Sequence, residues 1–272
     1  MNSQQSLGGG ARAFSPLRYK SKTLLQKDKN SCIINNIFIN NEVFMKKGFT
    51  LAEVLITLGI IGVVAALTLP ALVHKYTYNL TEARLKKFYS VFNQAILMSK
   101  NVNGDFEGWD GFWYSSEDTP NLDGIDKGYE KYILPYMKVV SHKVLTAANG
   151  PKLNVYFFAD GSAFSVNSNI TSDIRFYPNN PERCISTQKK YGICSFSFVF
   201  YPLFDKGYYE KWQYHYKKGL EPMLYNWDGL EEHLYSGAPE NRSCDAQGQY
   251  CTAIIARNGW KIPDDYPKKI RY

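Results

Sequence analysis

Histidine is scarce in this 272-residue chain, and its four copies, His74, His142, His215 and His233, stand far apart. There is no H-E-x-x-H pair to hold zinc, no G-x-S-x-G elbow to present a serine, and no glycine loop of phosphate-binding spacing. The sequence therefore offers no catalytic residue, no metal ligand set and no cofactor site, and the expectation is a protein that is not an enzyme. Cysteine is nearly as scarce. Cys32 stands alone near the start, and Cys184, Cys194, Cys244 and Cys251 come later in two local pairs without a C-x2-C step. That spacing speaks against zinc and fits two disulfides formed in an oxidising compartment, with reduced buried thiols as the alternative. Positive charge is also missing from most of the chain. The net +7 comes largely from residues 1–48, with eight Lys/Arg against two Asp/Glu, while the remainder carries 24 against 23. A general pull toward nucleic-acid phosphate is thereby excluded.

What the chain does have is one long apolar run. Residues 49–73 contain a single ionisable side chain, Glu53. As a helix this run is about 37 Å long, enough to cross a hydrocarbon core of about 30 Å. Lys46 and Lys47 precede it, and the next Lys or Arg is Lys75. The positive-inside rule then keeps the amino end cytoplasmic and exports the chain beyond His74. A carboxylate at the bilayer centre costs about 2.5–3.5 kcal/mol, and less near an end. No Lys, Arg or His within the run can offset that cost. A cut between Gly48 and Phe49 would create a cation, since a free α-amine has a pKa near 8. Glu53 lies one helical turn beyond it, able to compensate that amine in its own molecule or in a staggered neighbour.

Lys46-Lys47-Gly48 followed by Phe49-Thr50-Leu51-Ala52-Glu53-Val54-Leu55 resembles the prepilin cleavage and methylation motif of type IV pilins and type II secretion pseudopilins. The resemblance implies cleavage after Gly48 by a prepilin peptidase, N-methylation of Phe49, and an inter-subunit role for Glu53. It makes Pro70 the helix-bending proline. It also implies other pilin or pseudopilin subunits and an inner-membrane assembly machinery as partners. Gly62 and Ala66 form a small-xxx-small pair suited to close helix approach, or simply reflect the small residues common in membrane helices. A secretory signal peptide is the competing reading, but Glu53 at the head of the apolar region and the lack of an A-x-A site argue against it. The first 44 residues show no periodicity, and Met45 is expected to be the true start, with residues 1–44 not translated.

Beyond the run, helical spacing persists through residues 74–100, with Leu80, Leu85, Phe88, Val91, Phe92, Ala95 and Ile96 on one face and Glu82, Arg84, Lys86 and Lys87 mainly off it. An end is expected near Asn101 to Gly104. Residues 101–272 read as an exported domain. "LNVYFFADGSAFSVN" predicts a hairpin turning at Asp160-Gly161, and "ICSFSFVFY" a strand with Phe196, Phe198 and Phe200 on one face. Residues 132–140, broken by Pro135, predict a short helix or an edge segment. "CTAIIARNG" predicts a helix ended by Asn258-Gly259, its Cys251 tethered to Cys244. Asp123, Asp126 and Glu130 lack the ligand spacing of a calcium loop and read as a solvated turn. The aromatic clusters at residues 109–114 and 208–218 could stack on sugars or bases, though packing explains them more simply.

The expected fold is α+β: a long N-terminal helix, first transmembrane and then amphipathic, packed on an antiparallel β-sheet. The expected function is a pilin-like subunit anchored by one span in the inner membrane, its C-terminal domain periplasmic or extracellular. The rivals are an anchored binding protein or adhesin for glycan or DNA, and an anchored hydrolase, for which no residue constellation exists.

Overall fold

A computed structural model describes residues 48–110, 122–148, 150, 152–166, 173–187, 191–202, 215 and 218–272. The chain divides into two units, Met1–Leu51 and Ala52–Tyr272. Of the first, Gly48, Phe49 and Thr50 are exposed and without regular structure. The architecture is that of the second.

Helix α1, Leu51–Asn103, is 53 residues long and so about 80 Å from end to end. Its side chains divide it in two. Up to Val73 the apolar residues lie open. From Thr81 onward Thr81, Glu82, Leu85, Phe88, Phe92, Ala95, Ile96 and Ser99 are buried, at steps of three and four that put them on one stripe. The helix stops where the sequence predicts, with the Gly104 N–H bonded to the Lys100 carbonyl at 3.0 Å.

A six-stranded antiparallel meander covers that stripe: β1 (Val139–Thr146), β2 (Lys152–Phe158), β3 (Ala163–Val166), β4 (Asp173–Tyr177), β5 (Phe196–Val199) and β6 (Glu221–Pro222), adjacent in chain order. The β2–β3 turn forms at Asp160-Gly161. Gly161 takes φ +81°, which glycine adopts without a Cβ penalty. The Asp160 carboxylate accepts the Ser162 N–H at 3.0 Å and the Ser162 hydroxyl at 2.6 Å, an Asx turn that fixes the hairpin.

Strand alternation sends Tyr156, Phe164, Val166, Ile174, Phe176, Phe196 and Phe198 into one core with α1. The Phe88 ring stacks on Phe176 at 4.3 Å and meets Phe198 edge-on at 5.4 Å. Each such side chain contributes about 1.5–3 kcal/mol by leaving water. Phe200, just past β5, joins the same core. The opposite sheet face buries Leu153, Val155, Ala163 and Tyr177 under Cys184 and Ile185 of α3 (Pro181–Ser186). The short helices α4 (Glu231–Tyr235) and α5 (Cys251–Arg257) complete the main core, α5 ending at Asn258-Gly259 as expected. Residues 132–140 resolve into a 3-10 turn at Leu134–Tyr136 and the first residues of edge strand β1. Between them and α1 lies α2 (Leu122–Tyr132). The fold is thus α+β, a long helix on an antiparallel sheet.

Two sequence expectations are corrected: the segment holding Asp123, Asp126 and Glu130, read as a solvated turn, is helix α2, and the other concerns α1. Glu82 is not off the packed face but on it, only 8% exposed. Counting back three from Leu85 lands on the buried stripe, and the carboxylate is retained there because it has partners.

Candidate functional site

The first candidate is the amino-terminal segment. Gly48 and Phe49, the expected cleavage site, sit in open backbone before α1, and Phe49 is 88% exposed. A peptidase needs an extended, accessible bond, since a helix hides its carbonyls in the hydrogen-bond ladder. Glu53 stands in the first turn of α1, where the helix dipole favours a negative charge. The next turns present Leu55, Ile56, Leu58, Ile60, Ile61, Val63, Val64, Leu67, Leu69 and Leu72 in all directions, each more than half exposed. Gly62 and Ala66 lie exposed on the same length of helix.

The polar groups within this stretch satisfy themselves. The Thr57 hydroxyl donates to the Val54 carbonyl at 3.0 Å and the Thr68 hydroxyl to the Val64 carbonyl at 2.9 Å. Such back-bonding lets a hydroxyl enter an apolar medium without an orphaned donor. Pro70 lies inside the helix, and its missing N–H takes one rung out of the ladder there. Among the described residues, α1 is the one helix long and apolar enough to cross a membrane, and none of that apolar window is buried.

The second candidate is the seam where α1 meets the end of the chain. The Glu82 carboxylate accepts the Lys261 ammonium at 2.6 Å and the Ile262 N–H at 3.0 Å. The Tyr272 hydroxyl is hydrogen-bonded to the Thr81 hydroxyl. Residues 261–272 thus leave α1 at Glu82 and return to it one residue earlier. Along the way the Tyr266 hydroxyl donates to the Gly192 carbonyl at 2.8 Å and the Arg271 N–H to the Ile193 carbonyl at 3.1 Å. Burial pushes the Tyr266 and Tyr272 phenols well up from their ordinary range, so both remain neutral donors. Sequence reasoning passed over this seam. The signal was available: a glutamate on the apolar stripe of an amphipathic helix needs a buried partner.

The cysteines are bonded as Cys184–Cys194 and Cys244–Cys251, with Cα separations of 5.8 and 4.6 Å. The first joins α3 to the entry of β5, and the second closes the loop before α5. Gly192 runs against the second bond at φ +79°; a Cβ there would stand 2.2 Å from the Cys251 sulfur. The strap formed by residues 261–272 is thus bonded to Gly192, which abuts one disulfide, and to Ile193, which precedes Cys194 of the other.

The structure does not gather the histidines. His142 stacks on Tyr156 at 4.8 Å, His74 lies 4.1 Å from Tyr78, and His233 pairs with Asp228 at 2.5 Å. His215 is buried: its Nε2 accepts the Leu224 N–H at 3.1 Å, which leaves the proton on Nδ1 facing Glu221 at 3.1 Å. Burial pulls its pKa down against the opposing pull of Glu221. It is a neutral structural group. Trp109, at 1% exposure, stacks on Tyr132 at 4.6 Å and donates to the Gly104 carbonyl at 2.9 Å. It serves as core and is no stacking platform. Lys46, Lys47, residues 111–114, the side chains of Asp123 and Asp126, and residues 208–214 and 216–217 lie outside the described residues.

Comparison with known proteins places two matches end to end. Residues 44–69 match a prokaryotic N-terminal methylation motif, which spans Gly48, Phe49, Glu53 and most of the open half of α1. No curated protein and no solved structure matches the chain. The motif makes this a pilin-like protein of the prepilin type, and its apolar helix a single-pass membrane anchor. Residues 71–270, from the end of that anchor through the strap, match the family of unknown function DUF6613, and with that span covered the chain belongs to this family.

Proposed function

We propose that the protein is a structural subunit cut between Gly48 and Phe49 by a prepilin peptidase and N-methylated on Phe49. It is then drawn by its apolar helix into a type IV pilus or a type II secretion pseudopilus. Residues 49–73 form the span, 74–100 its amphipathic continuation, and 101–272 the exported domain. Lys46 and Lys47 ahead of the span hold the amino end in the cytoplasm, and two disulfides suit a domain beyond the inner membrane. The observation that carries this reading is the division of α1: one half open and apolar on every side, the other half the core of its own domain. A lone anchor needs the first half only as a plug. A filament subunit needs it as a surface on which copies pack, and Glu53 near its start gives that packing an axial register once Phe49 carries a free amine.

The role is structural, with cleavage, methylation and energy supplied by the peptidase and the inner-membrane assembly machinery. Glu53→Ala tests it. The variant is expected to insert into the membrane and to be cut normally, yet to be missing from sheared surface filaments or overexpressed pseudopili, while the native chain is present. Equal incorporation of the variant would overturn the subunit role. Mass analysis of the same material should find methylated Phe49 as the first residue; a chain still carrying Lys46-Lys47-Gly48 would overturn the processing step.

A further inference from the structure

The underside of the folded domain, where α1 comes out of the span, carries a cationic surface. Thr81 lies eight residues beyond Val73, so it stands about 12 Å past the end of the apolar run. The headgroup layer occupies about 5–7 Å of that height. The gap left is shorter than the Debye length of about 8 Å at physiological salt. Tyr272 docks at this level, on Thr81, and brings the strap with it. The Arg183 guanidinium donates to the Tyr272 carbonyl at 3.3 Å and is itself exposed. Lys269 and Arg271 are exposed on the strap, and Lys75 is exposed on α1 below them. Nearby carboxylates are largely engaged, Glu82 by Lys261 and Glu182 by Lys143 at 2.8 Å. Asp264 and Asp265 remain as the exposed acids of the strap, Asp265 within electrostatic reach of Tyr235. Tyr76, 65% exposed on α1 between span and domain, is the residue type that settles at headgroup level.

We propose that Lys75, Arg183, Lys269 and Arg271 form a docking surface for the phosphates of anionic phospholipids, holding the domain down on the bilayer while the subunit is still a membrane precursor. The occupant is set by charge and position together. The span fixes the surface above a bilayer, no flexible linker separates the two because α1 is continuous, and the exposed cations Lys75, Arg183, Lys269 and Arg271 outnumber the exposed acids Asp264 and Asp265. Guanidinium groups match phosphate oxygens bidentately. Each juxtamembrane basic residue strengthens attachment to an anionic surface about fivefold. This inference rests on the membrane anchor alone and stands or falls independently of filament assembly.

The test uses the full chain in nanodiscs of phosphatidylcholine alone or with phosphatidylglycerol added. Backbone hydrogen exchange is read at the strap, at the amides of Ile262 and Arg271. Exchange is expected to slow in the anionic discs by about fivefold per engaged residue, and to return to the neutral-disc rate at high salt. Lys75→Gln, Lys269→Gln and Arg271→Gln together should cut the lipid difference to the roughly fivefold supplied by Arg183 alone, while leaving exchange in neutral discs unchanged. Equal exchange of the native chain in both lipids would overturn the proposal without any variant, and so would a lipid effect that survives high salt. Inorganic phosphate added to neutral discs should have no effect; slowing by free phosphate would show an ion site instead of a surface site.

Discussion

The two halves of α1 are one continuous helix, yet they obey opposite rules. Before Val73 the side chains are apolar on every face and the structure buries none of them. After Thr81 they are apolar on one face only, and that face becomes the core. Helix propensity is the poorer in the open half, which carries Gly59, Gly62 and Pro70, yet both halves are helical, so propensity does not explain the division. What differs is the medium each half calls for. A helix uniformly apolar around its axis has no preferred side to hide, and it is stable where the surroundings are themselves apolar. A striped helix requires a partner with one apolar face, and the meander supplies it. The charges show the same contrast. Glu53 stands in the first turn of the open half, whereas Glu82, Arg84 and Lys87 each reach a group on the folded domain.

The largest expected effect breaks the comparison at its packing. Phe88→Ala removes a ring in contact with Phe92, Phe158, Phe164, Phe176 and Phe198. It should cost about 3–5 kcal/mol, read as a lower denaturant midpoint for the full chain in detergent. Leu58→Ala, the same kind of truncation in the open half, should leave that midpoint unchanged. If both variants shifted it equally, the open half would have to be packed against the domain, and the division of the helix would be wrong.

The division was legible in the sequence because periodicity is a property of long segments. An apolar run of 25 residues and a three-four pattern after it cannot be confused. The Asp160-Gly161 hairpin and the Phe196, Phe198 and Phe200 face were legible for the same reason, each being a local pattern with a local cause. The edge strand β1 was not. Its residues Val139 to Thr146 mix Val, Ser, His and Lys without clean alternation, since both of its faces are largely exposed. Nor was β6, two residues long, which pairs only because β5 is already there. The seam between Glu82 and the strap depends on residues 179 and 180 positions apart, a separation no local pattern encodes. The disulfide partners were suggested by spacing, but why Gly192 lies between them becomes visible only in three dimensions.

A smaller effect sharpens the contrast between the two glutamates. Glu82→Gln keeps the shape and removes the charge that receives Lys261 and the Ile262 N–H. Because Lys261 is 70% exposed along its side chain, water screens part of the pair, and the loss should be about 1–2 kcal/mol. Hydrogen exchange should quicken first in residues 261–272. Glu53→Gln, in the open half, should leave the midpoint and exchange pattern of the folded domain untouched. A stability loss at Glu53 matching that at Glu82 would erase the distinction between a carboxylate that holds the domain and one to which only the proposed assembly gives a role.

The smallest expected effect concerns how the buried half of α1 is tied to the sheet through Asp160. Partial burial works to raise this carboxyl, but the Lys87 ammonium at 2.8 Å and the Ser162 hydroxyl and N–H outweigh it and hold the pKa at about 2, below the ordinary 3.8. A carboxyl depressed by folding stabilises the folded state above its unfolded pKa, and the contribution disappears as pH falls from near 3.8 through about 2. Lys87 is 61% exposed, so solvent screening reduces the amount to about 1 kcal/mol. Asp160→Asn should therefore lower the thermal midpoint slightly at pH 7 and flatten its decline between those two pH values. It should do so by altering only the domain that encloses Phe88, because Lys87 and Phe88 are neighbours on α1 and the turn they hold is the one that aims β2 and β3 at the helix. A native chain whose midpoint is flat across the same acid range would mean that neither Lys87 nor the Ser162 hydrogen bonds favour the ionised Asp160 carboxyl, and that this charge of the packed half contributes nothing to folding.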